Sequence, residues 1–439
     1  SNPHPYSIEL SCSGGSGGPI PRLEWVSPYP NDTTVTITGT FMLSCSIDGQ
    51  KVRILHNGVK IWESPAVNGW YYKPDKSTFS VEIADLDNGD IITFMPSAYV
   101  AGLRFRWMHI TIFESGTDPN TAAQSVFDDS SWQVINLPHN PVVDRLWPDW
   151  PTYSYEGPAW YRKHFNLDPN YIGKKLFVEF EAGSTVTDVW FNDTHLTTHY
   201  GGYLPFIVDI TDYANFGPTE NVLVVKVDNS MSLGHDVPTW GSGFGGISRD
   251  VWLHVTDKLH ITDAVDANIV AGGGIFVTYP SVSTSQAQVQ VKTHVKNEYP
   301  TAKDCTVKTF IVDANNMVVA EMTGTQNIPA GGDHTFTHLT SVMDPHLWHP
   351  NHPYLYTVHT EVYDGNTLVD HLQTRIGIRS IEFSKTGGFK INGQPFRFRG
   401  ANRTQDFPYL GYAMGNLGQR NDAKKLKEMD VLTLDEKDV

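Results

Sequence analysis

Short runs in which apolar and polar residues alternate place the strongest limit on how this chain can fold. They recur along the sequence until about its last thirty residues, and Gly, Asn, Asp or Pro lies near their ends. A period of two residues places one face of a strand in a core and the other in solvent, as in antiparallel sandwiches. The sequence therefore predicts an all-β fold. The strand-like runs, most of which alternate in this way, include residues 34–37, 51–55, 177–180, 222–227 and 287–292.

The chain is too long for one domain. A length of 439 residues exceeds what a single hydrophobic core supports. Turn-forming segments divide the sequence into β-modules at residues 1–118, 119–257 and 258–377, and the third has the size of an immunoglobulin domain. Residues 378–439, the C-terminal segment, differ in character. We therefore expect tandem β-sandwiches followed by a short segment of another kind.

The C-terminal segment combines a hairpin with a helical pattern. A hairpin-like run occupies residues 389–400, and Ala423, Leu426 and Met429 then recur every three residues. Asn421 precedes them as a candidate N-cap. The spacing predicts a short amphipathic helix from Asn421 to Met429.

Composition excludes several classes of partner. The formal net charge is −16, from 48 acidic against 32 basic residues, and an acidic surface repels nucleic acid and anionic lipid. No apolar run approaches the roughly 18 residues of a membrane helix. His346, His349 and His352 are interleaved with proline, which favours a loop over a metal site. We expect no nucleic-acid partner, no membrane span, no metal and no cofactor.

Cysteines and glycosylation sequences indicate a secreted or extracellular protein. Cys12 and Cys45 are candidates for a disulfide in the first module, with two free thiols as the alternative. Cys305 lies in a strand-like run and is expected to be a small buried apolar residue. Sequences for N-linked glycosylation begin at three candidate residues, which are Asn31, Asn192 and Asn402.

A set of ordered motifs runs from about residue 120 to 429. They are FDDSSW at 127–132, NLPH at 136–139, WYRK at 160–163, GGYLPF at 201–206, GISRDVWL at 246–253, LWHP at 347–350, PYLY at 353–356, RIGIR at 375–379 and RGANR at 399–403. In this order they resemble the family 2 glycoside hydrolases, which include β-galactosidases, β-glucuronidases and β-mannosidases. Residues 1–118 lie outside the resemblance.

The resemblance implies a fold for each matched part. It implies a jelly-roll sugar-binding domain at residues 119–257, an immunoglobulin-like sandwich at 258–377, and the start of a (β/α)₈ barrel in the C-terminal segment. Conserved folds do not by themselves establish a working site. We expect Arg249 and Arg379 to brace domain interfaces and not to contact sugar.

The resemblance also implies where catalysis would take place. Retaining glycosidases use two carboxyl groups about 5 Å apart, and in this family both are glutamates on later strands of the barrel. A barrel takes about 250 residues, and the C-terminal segment supplies about a quarter of them. In addition, Thr404 stands where the family usually has His. We therefore expect no catalytic residue in this chain, and whether it belongs to an enzyme stays open.

Two aromatic segments are candidates for contact with sugar. Consecutive residues Trp70, Tyr71 and Tyr72 cannot all point into a core, so at least one is expected to be exposed. Packing in a core or interface is the alternative to a glycan platform. Asp236 and Trp240 lie in a loop that, in relatives, leans toward the mouth of the active site.

These observations leave functions of different classes open. One is a non-catalytic carbohydrate-binding or structural glycoprotein, assembling as an oligomer or filament by exchange of the strand at residues 6–10 with the 389–400 hairpin. Another is the N-terminal portion of an active exo-glycosidase similar to a β-galactosidase. A third is an adhesion protein that does not bind sugar.

Overall fold

A computed structural model describes most of the chain. The described residues are 6–13, 23–26, 33–44, 51–64, 75–87, 89–96, 104–114, 121–141, 157–229, 245–398, 400, 403, 407 and 409–429. Structural statements below concern these residues. Strands make up most of their regular structure, which confirms the all-β prediction. None of the helices in these ranges is long and apolar enough to cross a membrane.

The first module contains two four-stranded antiparallel sheets. Their orders are β1-β8-β3-β6 and β2-β7-β4-β5. Alternate residues of both sheets are fully buried, including Ile37 and Phe94. The strands are β1 (Tyr6–Ser13), β2 (Leu23–Val26), β3 (Thr33–Ser44), β4 (Val52–His56), β5 (Val59–Glu63), β6 (Asp75–Leu86), β7 (Ile91–Pro96) and β8 (Arg104–Glu114).

β1, the strand expected to exchange with the 389–400 hairpin, has a partner within its own module. β1 pairs antiparallel with β8, with Tyr6 opposite Ile112 and Ser13 opposite Arg104. Within the chain it therefore does not pair with the 389–400 hairpin. The reason is that β8 also pairs with β3, so β1 completes an existing sheet instead of starting a new one. Exchange of this strand between copies stays a proposal.

The second module is a sandwich of a three-stranded and a four-stranded sheet. The orders are β13-β10-β15 and β12-β11-β14-β9. Phe180, Phe191 and Val225 belong to the core cluster between them. The strands are β9 (Pro158–Phe165), β10 (Lys175–Phe180), β11 (Val186–Phe191), β12 (Thr194–Tyr200), β13 (Phe206–Asp209), β14 (Asn221–Asp228) and β15 (Val251–Thr256), and the 3₁₀ helices are Thr121–Ala123, Pro169–Tyr171 and Thr211–Tyr213.

The third module is also a sandwich. One sheet has β18 paired with β16 and β17 on one side and with β21 on the other, and the second has the order β20-β19-β22-β23. Two core clusters fill it. The strands are β16 (Leu259–Ile261), β17 (Ile275–Val282), β18 (Gln286–Asn297), β19 (Lys303–Val312), β20 (Val318–Ile328), β21 (Asp333–Met343), β22 (Tyr356–Asp364) and β23 (Thr367–Ile376).

The C-terminal segment carries a small sheet and one helix. The sheet is β24 (Ile381–Ser384), β25 (Gly388–Ile391) and β26 (Gln394–Pro395), and the helix is α1 (Asn416–Glu428). The helix therefore begins five residues before the predicted Asn421. Its N-cap is Gly415, which makes no side-chain cap bond. Arg403 bonds Gln419 and Asp422 on the first two turns of this helix.

Candidate functional site

Most sequence-predicted site residues lie outside the described part of the chain. This holds for all five sugar-contact candidates and for two glycosylation candidates, so these stay predictions. Cys12 lies in β1, and β8 lies between β1 and β3 in the sheet. Cys45 follows β3 in sequence but is outside the described residues, so the disulfide stays a prediction. The residues outside the description are Asn31, Cys45, Trp70, Tyr71, Tyr72, Asp236, Trp240 and Asn402.

The two ends of the segment that contains Asp236 and Trp240 lie together on the jelly roll. Asn229 precedes that segment and its side chain accepts the Gly157 amide at 2.8 Å. Gly245 follows it, and its carbonyl accepts from Asn140. A Cβ on Gly245 would lie 2.7 Å from Asn229 Cγ, so the ends are in contact. The segment therefore leaves and re-enters the sandwich at one edge.

The GISRDVWL motif begins beside this edge with Gly246. Its φ of +91° lies in the left-handed region that favours glycine. A Cβ there would stand 2.6 Å from the Tyr161 hydroxyl and 2.7 Å from the His139 carbonyl oxygen. His139 Nδ1 in turn bonds the Tyr161 hydroxyl at 3.1 Å. The motif glycine thus permits a close approach of backbone to a His–Tyr pair.

An aromatic stack extends from the same edge into the core. The His199 ring lies parallel to Phe206 with centroids 4.2 Å apart, and Phe206 stacks on Phe180 at 4.8 Å. His199 Nε2 is buried and has no hydrogen-bond partner. Burial lowers the pKa of His199, so the ring is neutral near pH 7.

The edge also contacts the C-terminal segment. Arg249 Nη1 donates to the carbonyl oxygen of Tyr412 at 3.1 Å, and Asn416 donates to Asp250 at 3.2 Å. The Tyr203 and Tyr412 rings lie 6.4 Å apart. The expectation that Arg249 braces a domain interface is confirmed. Arg379, at the start of the C-terminal segment, lies over the Trp348 ring of the immunoglobulin-like domain at 4.9 Å, so it also contacts a neighbouring domain.

Arg162 of the WYRK motif fixes the entry of the chain into the jelly roll. Its side chain is 1% exposed and pairs with Asp129 at 2.8 Å. Although burial raises the pKa of Asp129, hydrogen bonds from His164 and Arg162 lower it below its usual value. The guanidinium also donates to four backbone carbonyl oxygens, those of Ala122, Gln124, Ser125 and Phe127. Arg162 therefore has a structural role.

Carboxyl groups with displaced pKa values are mostly held as anions. Burial raises the pKa of Glu298, but bonds from Lys175 and Lys296 lower it further, and Asp209 is lowered in the same way by Lys175. Asp370 is the exception among the described residues, because burial raises its pKa. Both of its oxygens accept backbone amides, from Ile261 and His371. A glycosidase acid needs a raised pKa and a partner carboxylate about 5 Å away.

The described ranges contain neither a metal-binding group of side chains nor a reactive thiol. No group of three or more His, Cys, Asp or Glu side chains there could hold a metal ion. Cys305 is fully buried and free, as expected. Burial raises the pKa of its thiol to about 12, so it is unreactive.

The hydrogen bonds of Asn192 bear on its predicted glycosylation. Its Nδ2 donates to the Tyr213 carbonyl at 2.8 Å and to Asn221 Oδ1 at 2.9 Å, and its Oδ1 accepts the Val222 amide at 2.9 Å. A glycan replaces one of the two Nδ2 hydrogens and so breaks one of these bonds.

We therefore expect Asn192 to remain unmodified when the protein is secreted by cells that glycosylate. Peptide mass spectrometry checks this directly. The control is Thr194→Ala, which removes the acceptor sequence but keeps Asn192; its glycan content should equal that of the parent protein. A glycan found on the Asn192 peptide would contradict the prediction.

Comparison with known proteins identifies the class to which these domains belong. The family model for the sugar binding domain of glycosyl hydrolases family 2 matches residues 121–257. A second model, glycosyl hydrolases family 2, matches residues 273–379. These ranges coincide with the jelly-roll and immunoglobulin-like sandwiches, which are thus domains of a glycosidase family.

Relatives and solved structures agree with this class. A β-glucuronidase of Formosa agariphila is 33% identical over 299 residues, 65% of this chain and 30% of the relative. A β-galactosidase of Thermoanaerobacter pseudethanolicus is 33% identical over 330 residues, 73% of this chain and 41% of the relative. The Bacteroides uniformis β-glucuronidase structure is 30% identical with a TM-score of 0.64, covering 72% of this chain and 37% of that one.

The chain therefore belongs to glycosyl hydrolase family 2 and carries the N-terminal domains of that family. It spans less than half the length of the curated relatives it matches.

Proposed function

We propose that this chain recognises carbohydrate without cleaving it. The observation that carries the proposal is the match of residues 121–257 to the family's sugar binding domain. The described carboxyl groups support the second half of the proposal. Asp129, Asp209 and Glu298 are held by cationic side chains and Asp370 by two backbone amides, so none of these four is arranged as a proton donor.

Glycan binding tests this function. The purified chain is applied to an array of mammalian, plant and bacterial glycans, and the strongest binders are titrated by calorimetry. We expect saturable binding to a subset of glycans that soluble forms of the same glycans inhibit. Binding to no glycan in either assay would overturn the proposal and favour an adhesion protein that does not bind sugar.

A second candidate is the N-terminal part of a longer exo-glycosidase. The observation that favours it is coverage, because this chain matches 30% of the β-glucuronidase and 41% of the β-galactosidase. The intact mass of the natural protein decides between the two. A mass near the 49.0 kDa of this sequence, plus glycans, supports the first function, and about twice that mass supports the second.

We also propose an extracellular location and assembly by exchange of β1. Acceptor sequences for N-linked glycans at Asn31 and Asn402 support the location, and the position of β1 at the edge of its sheet, where it contacts β8 alone, supports the exchange. A neighbouring copy can offer β8 in the same register. Removing residues 1–18 is then expected to leave monomers in light scattering. An assembly whose size is unchanged by the deletion would reject strand exchange.

A further inference from the structure

A cleft separates the jelly-roll and immunoglobulin-like sandwiches. It encloses about 590 Å³, within the usual range for small-molecule sites. Phe177, Ile207 and Thr256 line it from β10, β13 and β15 of the jelly roll. The facing wall comes from β16, β17, β23 and the loop between β16 and β17. The cleft is thus built from both domains.

Two polar atoms buried in the walls of this cleft have no hydrogen-bond partner. One is Nδ1 of His260, a residue only 4% exposed, and the other is Oγ1 of Thr256. Buried polar groups are nearly always paired, and each unpaired one costs free energy. Nine buried polar atoms of the described residues lack a hydrogen-bond partner, and the two that belong to the walls of this cleft are placed where a ligand can supply one.

The chemistry of the two atoms specifies the ligand group. Burial lowers the pKa of His260, so its ring is neutral and offers one donor and one acceptor. The Thr256 hydroxyl likewise donates and accepts. A ligand hydroxyl can pair with either atom in either role, whereas a carboxylate or phosphate can only accept.

The charges of the cleft exclude anions. Asp263 and Asp266 lie on its wall beside Asp370. Asp370 and Asp263 each accept two backbone amides, which hold these side chains in the wall and leave all the carboxyl groups contributing to its acidic potential. Apolar residues such as Ile275 complete the lining and suit C–H surfaces.

We propose that the cleft between the two sandwiches binds a neutral saccharide, whose hydroxyl groups pair with His260 and Thr256. The proposal rests on the carbohydrate recognition proposed above and adds its location. A second groove of about 490 Å³ lies beside Trp132 and Trp160 of the jelly roll. It is less suited, because its carboxylate Asp129 is already bonded to Arg162 and His164.

The first test removes one hydroxyl. Thr256→Val keeps the side-chain shape, and Thr360→Val is the matched control, since Thr360 also has a buried hydroxyl without a partner but lies outside the cleft. Galactose, glucose, mannose and lactose are titrated by ligand-observed NMR, with glucuronate as the anionic comparison. We expect Thr256→Val to weaken the best neutral sugar about fivefold, Thr360→Val to leave it unchanged, and glucuronate not to bind.

The second test blocks the mouth of the cleft. Ala264 is exposed and lines it, and Ala302 is exposed elsewhere in the same domain. We expect Ala264→Trp to abolish sugar binding and Ala302→Trp to preserve it, with unchanged melting temperatures. We also expect the ring nitrogen resonances of His260 to shift when the sugar binds to the parent protein.

The outcomes separate the two proposals. Sugar binding that survives Thr256→Val and Ala264→Trp, with unchanged His260 resonances, would overturn the proposal that the cleft is the binding site. It would not contradict carbohydrate recognition by the chain. Tighter binding of glucuronate than of the neutral sugars would overturn the proposal that the ligand is neutral. Failure of all these probes and of the glycan array would overturn both proposals.

Discussion

Replacing Arg162 with alanine is expected to destabilise the jelly roll by about 3–5 kcal/mol, because one partner of a buried pair is removed. The change leaves the Asp129 carboxylate with His164 as its remaining side-chain partner and removes the guanidinium donor from four backbone carbonyl oxygens. Urea unfolding followed by tryptophan fluorescence measures the loss. The melting transition of the domain should fall by about 10 °C.

Two variants serve as controls for this result. Arg162→Lys keeps the positive charge but loses the planar fork that reaches several acceptors, so its stability should lie between those of the parent and the alanine variant. Arg375 is exposed on β23, and Arg375→Ala should change the free energy of unfolding by less than about 0.5 kcal/mol. Equal stability of Arg162→Ala and the parent would show that the contacts of the Arg162 guanidinium do not stabilise the domain.

Replacing Phe191 with alanine is expected to lower the free energy of unfolding of the jelly roll by about 3–5 kcal/mol. Phe191 is fully buried in the jelly-roll core and packs against Phe165 at 6.1 Å. Alanine leaves a cavity that the two rigid sheets cannot close. Phe383→Ala is the matched control, since Phe383 is 76% exposed. In calorimetry, the temperature of the first unfolding transition should fall for Phe191→Ala and stay almost unchanged for Phe383→Ala. A larger fall for Phe383→Ala would refute the assigned core.

The strands were predictable because their burial follows local alternation. Residues 287–292 lie in β18, in which Ala287, Val289 and Val291 are fully buried and the residues between them are not. Residues 222–227 lie in β14, a strand between β11 and β9 that buries both faces at several positions. Here the apolar run, not strict alternation, carried the prediction.

Pairing and helix limits were less predictable, because the local sequence does not mark them. The sequence shows a strand at residues 6–10 but cannot show that β8 is its partner about a hundred residues later. The start of α1 was likewise not marked locally, because its N-cap is Gly415, which makes no side-chain cap bond, and not the candidate Asn421.

The site was predictable only in part. Family motifs identified the jelly-roll edge, and the bracing role of Arg249 followed from its motif. Thr256 and His260 were missed because neither is unusual in sequence. Their signal appears when two sandwiches meet and leave both atoms buried without partners.

A hydrolysis assay tests most directly whether this chain cleaves glycosides. The chain is purified from a host without β-galactosidase or β-glucuronidase and incubated with 4-methylumbelliferyl β-galactoside, β-glucuronide and β-mannoside, beside the Thermoanaerobacter pseudethanolicus β-galactosidase as a positive control. A chain that binds carbohydrate without cleaving it gives fluorescence no higher than that of the buffer blank. Release that rises in proportion to the concentration of this chain would contradict the proposed function.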